Sequence, residues 1–97
     1  SGTISLKEKK YNAAITAFDN MLSEYPESSH AEHSRFLILK SSYEFAINSI
    51  YEKRAQRLDE AKDRYKDYIT RYPKGPNAKS AKDLNKQIES ESKNLSI

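Results

Sequence analysis

Apolar residues recur at helical spacing along most of the chain, in blocks that end at Tyr-Pro pairs. In the block 11–25 they fall three and four positions apart, which places them on one face of a helix. The block 58–72 has the same spacing, and a broader apolar stripe runs through 31–50. Strand signals are weak, because β-branched residues are sparse and strict alternation is absent. The pattern therefore predicts an all-α chain.

Prolines set the predicted helix ends, since a proline disfavours helical geometry in the residue before it. Ser29 and Glu32 are predicted to form a capping box at the start of the second helix, and Ser28 is an equally plausible cap. A kink or short loop is expected near 51–55, where the sequence holds no strong helix breaker. Residues 1–10 are read as the remnant of a preceding helix, so the chain is expected to begin within a repeat. We predict a single domain, 1–97, with helices at 11–25, 31–51, 56–72 and 77–93.

The blocks before the two prolines are copies of one motif, and Pro26 and Pro73 lie 47 positions apart. Small residues let helices approach closely, and aromatic residues fill the groove between them. Met21 and Tyr68 stand where such a motif usually has a further small residue. The shared positions are Ala14, Phe18, Leu22, Tyr25 and Pro26 in the first copy, and Ala61, Tyr65, Ile69, Tyr72 and Pro73 in the second.

Each copy resembles the second helix of a tetratricopeptide (TPR) hairpin, although the ordinary TPR period is about 34 residues. The roughly 13 additional residues are assigned to 48–57. The expected architecture is a stack of TPR-like antiparallel helical hairpins, a fragment of an α-solenoid with about four main helices and a truncated N-terminal one.

The stretches 9–20 and 25–43, which include the first Tyr-Pro pair and Ala31, resemble the BamD family of outer-membrane assembly lipoproteins in the form found in Bacteroidetes. The resemblance covers roughly 6–90 and would make the chain a C-terminal fragment. It implies a scaffold on the periplasmic face of the outer membrane of a Gram-negative bacterium, anchored by a lipidated Cys that lies outside this sequence. The implied partners are the POTRA domains of the barrel-assembly subunit, other assembly lipoproteins and unfolded outer-membrane proteins.

The amino-acid composition excludes several kinds of functional site. The chain has no cysteine, which excludes disulfides, thiolate metal sites and cysteine nucleophiles. His30 and His33 lack a recognisable third ligand, so they are interpreted as solvated side chains rather than a metal site. Acidic residues of the third helix alternate with lysines and arginines, and Asp59 and Asp63 are expected to pair with Lys62 and Lys66 on a solvated face. No catalytic residue and no cofactor are predicted.

Charge and tyrosines favour a binding function. The net charge is +3, and basic residues concentrate in the middle of the chain. The additional residues of the repeat are the preferred contact site, because insertions in repeats often serve the binding face and Tyr and Arg are common anchors. The predicted partner-binding residues are Tyr51, Lys53, Arg54 and Arg57.

Two alternatives stay open at this stage. One is another periplasmic TPR adaptor of the cell envelope, which would share the fold and differ in its partner. The other is a basic nucleic-acid-binding module that combines cations with tyrosines. The acidic residues interspersed among the cations argue against the second, so no nucleic-acid partner is expected.

Overall fold

The computed structural model describes residues 6–26 and 30–95, which form four α-helices and no strand. Consecutive helices pack against each other, and the second helix also contacts the fourth. The second helix therefore lies at the centre of the bundle, and the prediction of an all-α, TPR-like fold is confirmed. The helices are α1 (Leu6–Glu24), α2 (Ala31–Ile47), α3 (Tyr51–Arg71) and α4 (Ala78–Leu95).

Two clusters of buried side chains hold the helices together. The smaller cluster joins α1 to α2 through Leu22, Ala31 and Ile38, with Ile15 and Phe18 packed against it. The larger cluster joins α2, α3 and α4, and it consists of Leu39, Ala46, Leu58, Ala61, Tyr68, Ala78, Ala81 and Ile88.

The two copies of the repeat motif are buried to different extents. Ala61 in the second copy is fully buried, whereas Ala14 at the same motif position is half-buried. Tyr72 is half-buried and packs against the larger cluster, whereas Tyr25 is 61% exposed. The difference follows from position in the stack. Helix α3 packs between α2 and α4, and α1 has only α2 as a neighbour among the described helices.

The break between α2 and α3 lies at 48–50, so the predicted break at 51–55 is wrong. Asn48 Nδ2 donates to the carbonyl oxygen of Glu44 at 2.8 Å, and the Ser49 hydroxyl donates to the carbonyl oxygen of Phe45. Such side chains compete with the helical ladder for backbone partners and favour its termination. Ile50 then has extended geometry (φ −61°, ψ 152°), and α3 starts immediately after it.

The predicted ends of the other helices also need correction. Residues 6–10 form the first turns of α1 rather than a separate preceding helix, and residues 1–5 lie outside the described part. Ser28 and Ser29, the predicted caps of the second helix, lie outside the described residues. The N-cap of this helix is His30, which makes no side-chain cap bond. The Glu32 carboxylate, assigned above to a capping box, instead accepts hydrogen bonds from side chains of distant residues.

Those bonds close the turn after the second Tyr-Pro pair. The Tyr68 hydroxyl donates to the Glu32 carboxylate, and Asn77 Nδ2 donates to the same group at 3.1 Å. Burial raises the pKa of Tyr68, and its bond to the Glu32 carboxylate raises that pKa further. A Cβ at Gly75 would lie 2.9 Å from Tyr72 Cβ, so the turn needs glycine for this close approach. Three segments of the chain are thereby tied together at one end of the bundle.

Candidate interaction surface

The turn between α2 and α3 exposes two adjacent large apolar side chains. Ile50 is 56% exposed and Tyr51 is 63% exposed. Single exposed apolar residues are ordinary, but a contiguous pair at a rigid turn is a candidate contact surface. Tyr51 was predicted as a contact residue and Ile50 was not, because Ile50 was counted in the apolar stripe of the second helix. Its position directly after Asn48 and Ser49, two residues that favour helix ends, was the available signal.

The four predicted contact residues divide into two groups. Tyr51 and Lys53 are exposed, whereas Arg54 and Arg57 are half-buried and bind the turn itself. Arg54 Nη2 donates to the Ser49 carbonyl oxygen at 3.3 Å, and Arg57 Nη1 donates to the Ser49 hydroxyl. The Arg57 guanidinium carbon also lies 4.1 Å from the centroid of the Phe45 ring, a cation–π contact. The structure thus places the two arginines beneath the turn. We define the turn surface as Ile50, Tyr51 and Lys53.

A groove of about 560 Å³ separates α1 from α3, and α2 forms its floor through Ser42 and Phe45. Arg64 crosses this groove and donates to both carboxylate oxygens of Asp19, at 3.1 and 3.0 Å. This bidentate pair links two helices whose backbones do not pack directly. The groove is otherwise acidic, with Asp19, Glu60, Asp63 and Asp67 along its walls.

The ion pairs of α3 differ from those predicted. Within residues 6–26 and 30–95, Asp59 and Asp63 form no ion pair with Lys62 or Lys66. Asp67 instead accepts from Arg71 Nε at 2.9 Å and lies 3.7 Å from Arg35 Nε. Two arginines of this helix, Arg64 and Arg71, therefore pair with carboxylates, while its lysines form no ion pair in the described part of the chain.

The Arg64–Asp19 pair is expected to stabilise the fold by about 0.5 kcal/mol, a modest value because both side chains are 40% exposed. A double-mutant cycle of Arg64→Ala and Asp19→Ala, followed by urea unfolding, measures this coupling. The coupling should decrease in about 1 M NaCl, where screening is strong. A parallel cycle on Arg71 and Asp67, which pair within α3, serves as the control. Additive effects at Arg64 and Asp19 would contradict the expectation.

A family model described as YfiO, outer membrane lipoprotein, matches residues 1–85. The chain belongs to this family. The match confirms the BamD-like resemblance at the level of the family. Membership of this family associates the chain with the outer membrane and with protein–protein interactions in outer-membrane assembly. Searches of the curated proteins and of the solved structures found no match.

In the described ranges of this YfiO-family chain, no helix combines the length and apolarity that crossing a bilayer requires. The same ranges contain no group of His, Asp or Glu side chains placed to hold a metal ion, and His30 and His33 are exposed.

Proposed function

We propose that the chain is a non-catalytic scaffold of the machinery that assembles β-barrel proteins in the outer membrane. The observation that carries this proposal is the YfiO family match over residues 1–85. In finer terms, we propose a BamD of the Bacteroidetes form, represented here by its C-terminal part and located on the periplasmic face of the membrane. Its lipidated Cys would belong to a segment outside this sequence.

The proposed partner at the turn surface is a POTRA domain of the barrel-assembly subunit. Tyrosine is a frequent anchor of protein interfaces, and Ile50 extends the apolar area next to Tyr51. Lys53 adds a charge at the edge, where charges affect association rate and orientation more than affinity. Arg54 and Arg57 hold the turn in place before binding, which reduces the entropy that ordering would otherwise cost. Other assembly lipoproteins and unfolded outer-membrane proteins are further proposed partners.

A protein partner is favoured over a nucleic acid. Phosphate binding requires cations that are free to neutralise the backbone. In the middle of the chain, Arg64 and Arg71 pair with carboxylates and Arg57 lies over the Phe45 ring, and the lysines there stand among acidic residues that oppose a phosphate backbone. A scaffold is favoured over an enzyme because two of the acidic residues in the α1–α3 groove, Asp19 and Asp67, are bound to arginines.

The double substitution Ile50→Ser and Tyr51→Ser is expected to weaken binding to the POTRA region at least about tenfold, since both side chains of the apolar contact are lost. Isothermal titration calorimetry of the chain with the purified POTRA region measures this affinity. Tyr25→Ser is the matched control, because Tyr25 is equally exposed but lies in another turn. Circular dichroism should show unchanged helicity in both variants.

An equal loss in the Tyr25→Ser variant, or full affinity in the double variant, would place the contact elsewhere. If the unsubstituted chain does not bind the POTRA region at micromolar concentrations, the scaffold would belong to another periplasmic assembly. That outcome favours the second candidate, a TPR adaptor of the cell envelope with the same fold and a different partner.

A further inference from the structure

A second groove, of about 590 Å³, lies between α3 and α4. Its three lysines form no ion pair within residues 6–26 and 30–95, and its one glutamate, Glu89, accepts a hydrogen bond from Asn85 Nδ2 at 3.3 Å. Three lysines against one glutamate leave a formal charge of +2 in the groove. We call it the lysine groove, and it is lined by Lys62, Lys86, Glu89, Ser90, Ser92 and Lys93.

The 47-residue repeat relates the lysine groove to the groove between α1 and α3. Lys62, Glu89 and Ser92 stand 47 positions after Ile15, Ser42 and Phe45, which line the first groove. In the first hairpin, Ile15 packs against the smaller core cluster and Phe45 lies beneath Arg57. The second hairpin has a lysine and a serine at these two positions. Two apolar positions of the first groove are thus polar in the second, and the acidic lining of the first groove contrasts with the positively charged lining of the second.

We propose that the lysine groove binds an extended acidic segment of a protein partner. Lys86 and Lys93 are seven residues apart on α4, which separates their Cα atoms by about 10.5 Å along the helix axis. In a polyproline-type extended chain, side chains three residues apart point the same way and lie about 9.3 Å apart. Two carboxylates at that spacing match the two lysines of α4, and Lys62 faces them from α3. The lysines of the groove and the carboxylates of such a segment therefore match in charge and in spacing.

The size and lining of the groove favour an acidic peptide over a small inorganic anion or an anionic lipid. About 590 Å³ exceeds what a single small anion fills, since one water takes about 30 Å³ of liquid. Ser90 adds a hydroxyl that can accept from or donate to the backbone of such a segment. No apolar residue lines the groove in the described part of the chain, so its apolar surface consists of the carbon atoms of polar and charged residues, such as the lysine stems, rather than a pocket for acyl chains. This inference does not depend on the turn surface or on the POTRA partner.

The experiment uses the 97-residue chain and a fluorescein-labelled peptide of four Glu-Pro-Ser repeats, read by fluorescence polarisation at about 50 mM salt. The groove variant carries Lys62→Gln, Lys86→Gln and Lys93→Gln. The control variant carries Lys40→Gln, Lys74→Gln and Lys79→Gln, three exposed lysines outside the groove. Both variants lower the formal net charge from +3 to zero, so they differ only in where the charge is removed.

The groove variant is expected to bind the peptide about tenfold more weakly than the unsubstituted chain, and the control variant within about twofold of it. An equal loss in both variants would mean that net charge governs binding, and no loss in the groove variant would mean that the peptide binds elsewhere. Either result overturns the proposal. So does a groove variant that keeps its peptide affinity but loses binding to phosphatidylglycerol vesicles, which would assign the groove to a lipid headgroup. Circular dichroism verifies that both variants fold.

Discussion

Replacing Tyr68 by alanine is expected to lower the free energy of unfolding by about 4 kcal/mol, which is a large part of the stability of a small domain. The Tyr68 side chain is fully buried in the larger core cluster. Its ring meets that of Phe36 edge-on at 6.1 Å and that of Tyr72 at 5.2 Å, measured between ring centroids. The alanine variant loses these contacts, leaves a cavity and removes one donor from the Glu32 carboxylate.

Urea unfolding followed by circular dichroism measures the loss. Tyr51→Ala is the matched control, because the same atoms are removed from a side chain that is 63% exposed. Its effect should stay within about 0.5 kcal/mol. Tyr68→Phe separates the ring from the hydroxyl and should lose about 1–2 kcal/mol, since the packing remains while Glu32 keeps only its bond from Asn77. Equal losses for Tyr68→Ala and Tyr51→Ala would contradict the assigned burial.

The second large effect is expected from Ala61→Leu, which should lower the free energy of unfolding by about 2–3 kcal/mol. Ala61 is fully buried in the cluster that joins α2, α3 and α4, and the three carbons that leucine adds have no space there. Overpacking forces side chains out of their rotamers or helices apart. Chemical denaturation at constant temperature gives the value.

Ala14→Leu is the control that the repeat itself supplies. Ala14 holds the same motif position 47 residues earlier, but it is only half-buried because α1 packs against α2 alone among the described helices. The change should be within about 0.5 kcal/mol of neutral. Equal destabilisation by the two substitutions would mean that the two copies of the repeat motif are packed alike, which would contradict the different burial of Ala14 and Ala61.

Features of the fold that depend on neighbouring residues could be predicted from the sequence. The helical periodicity and the helix ends before Pro26 and Pro73 were predicted correctly because they depend on spacing and on proline geometry. The break at 48–50 was misplaced because it contains neither proline nor glycine. It depends on side-chain bonds from Asn48 and Ser49 to the backbone of the preceding turn, which spacing does not reveal.

Other features depend on residues that are distant in sequence. Glu32 was assigned a local capping role, but its partners Tyr68 and Asn77 lie 36 and 45 positions away. Arg54 and Arg57 were predicted to contact a partner because they are basic and belong to the additional residues of the repeat. In the structure each of them donates a hydrogen bond to Ser49 in the turn. The lysine groove was missed for a related reason. Its residues lie on two helices, and only the packing of α3 against α4 brings them to one surface.

The separation of the buried side chains into two clusters has a consequence for how the chain opens. Helix α1 is attached through the smaller cluster and the Arg64–Asp19 pair, whereas α2, α3 and α4 share the larger cluster. Within the described residues, local opening of α1 therefore exposes less apolar surface than opening of the other three helices, so it has the lower free-energy cost. Fraying of α1 would leave a three-helix cooperative unit intact, with the lysine groove still formed.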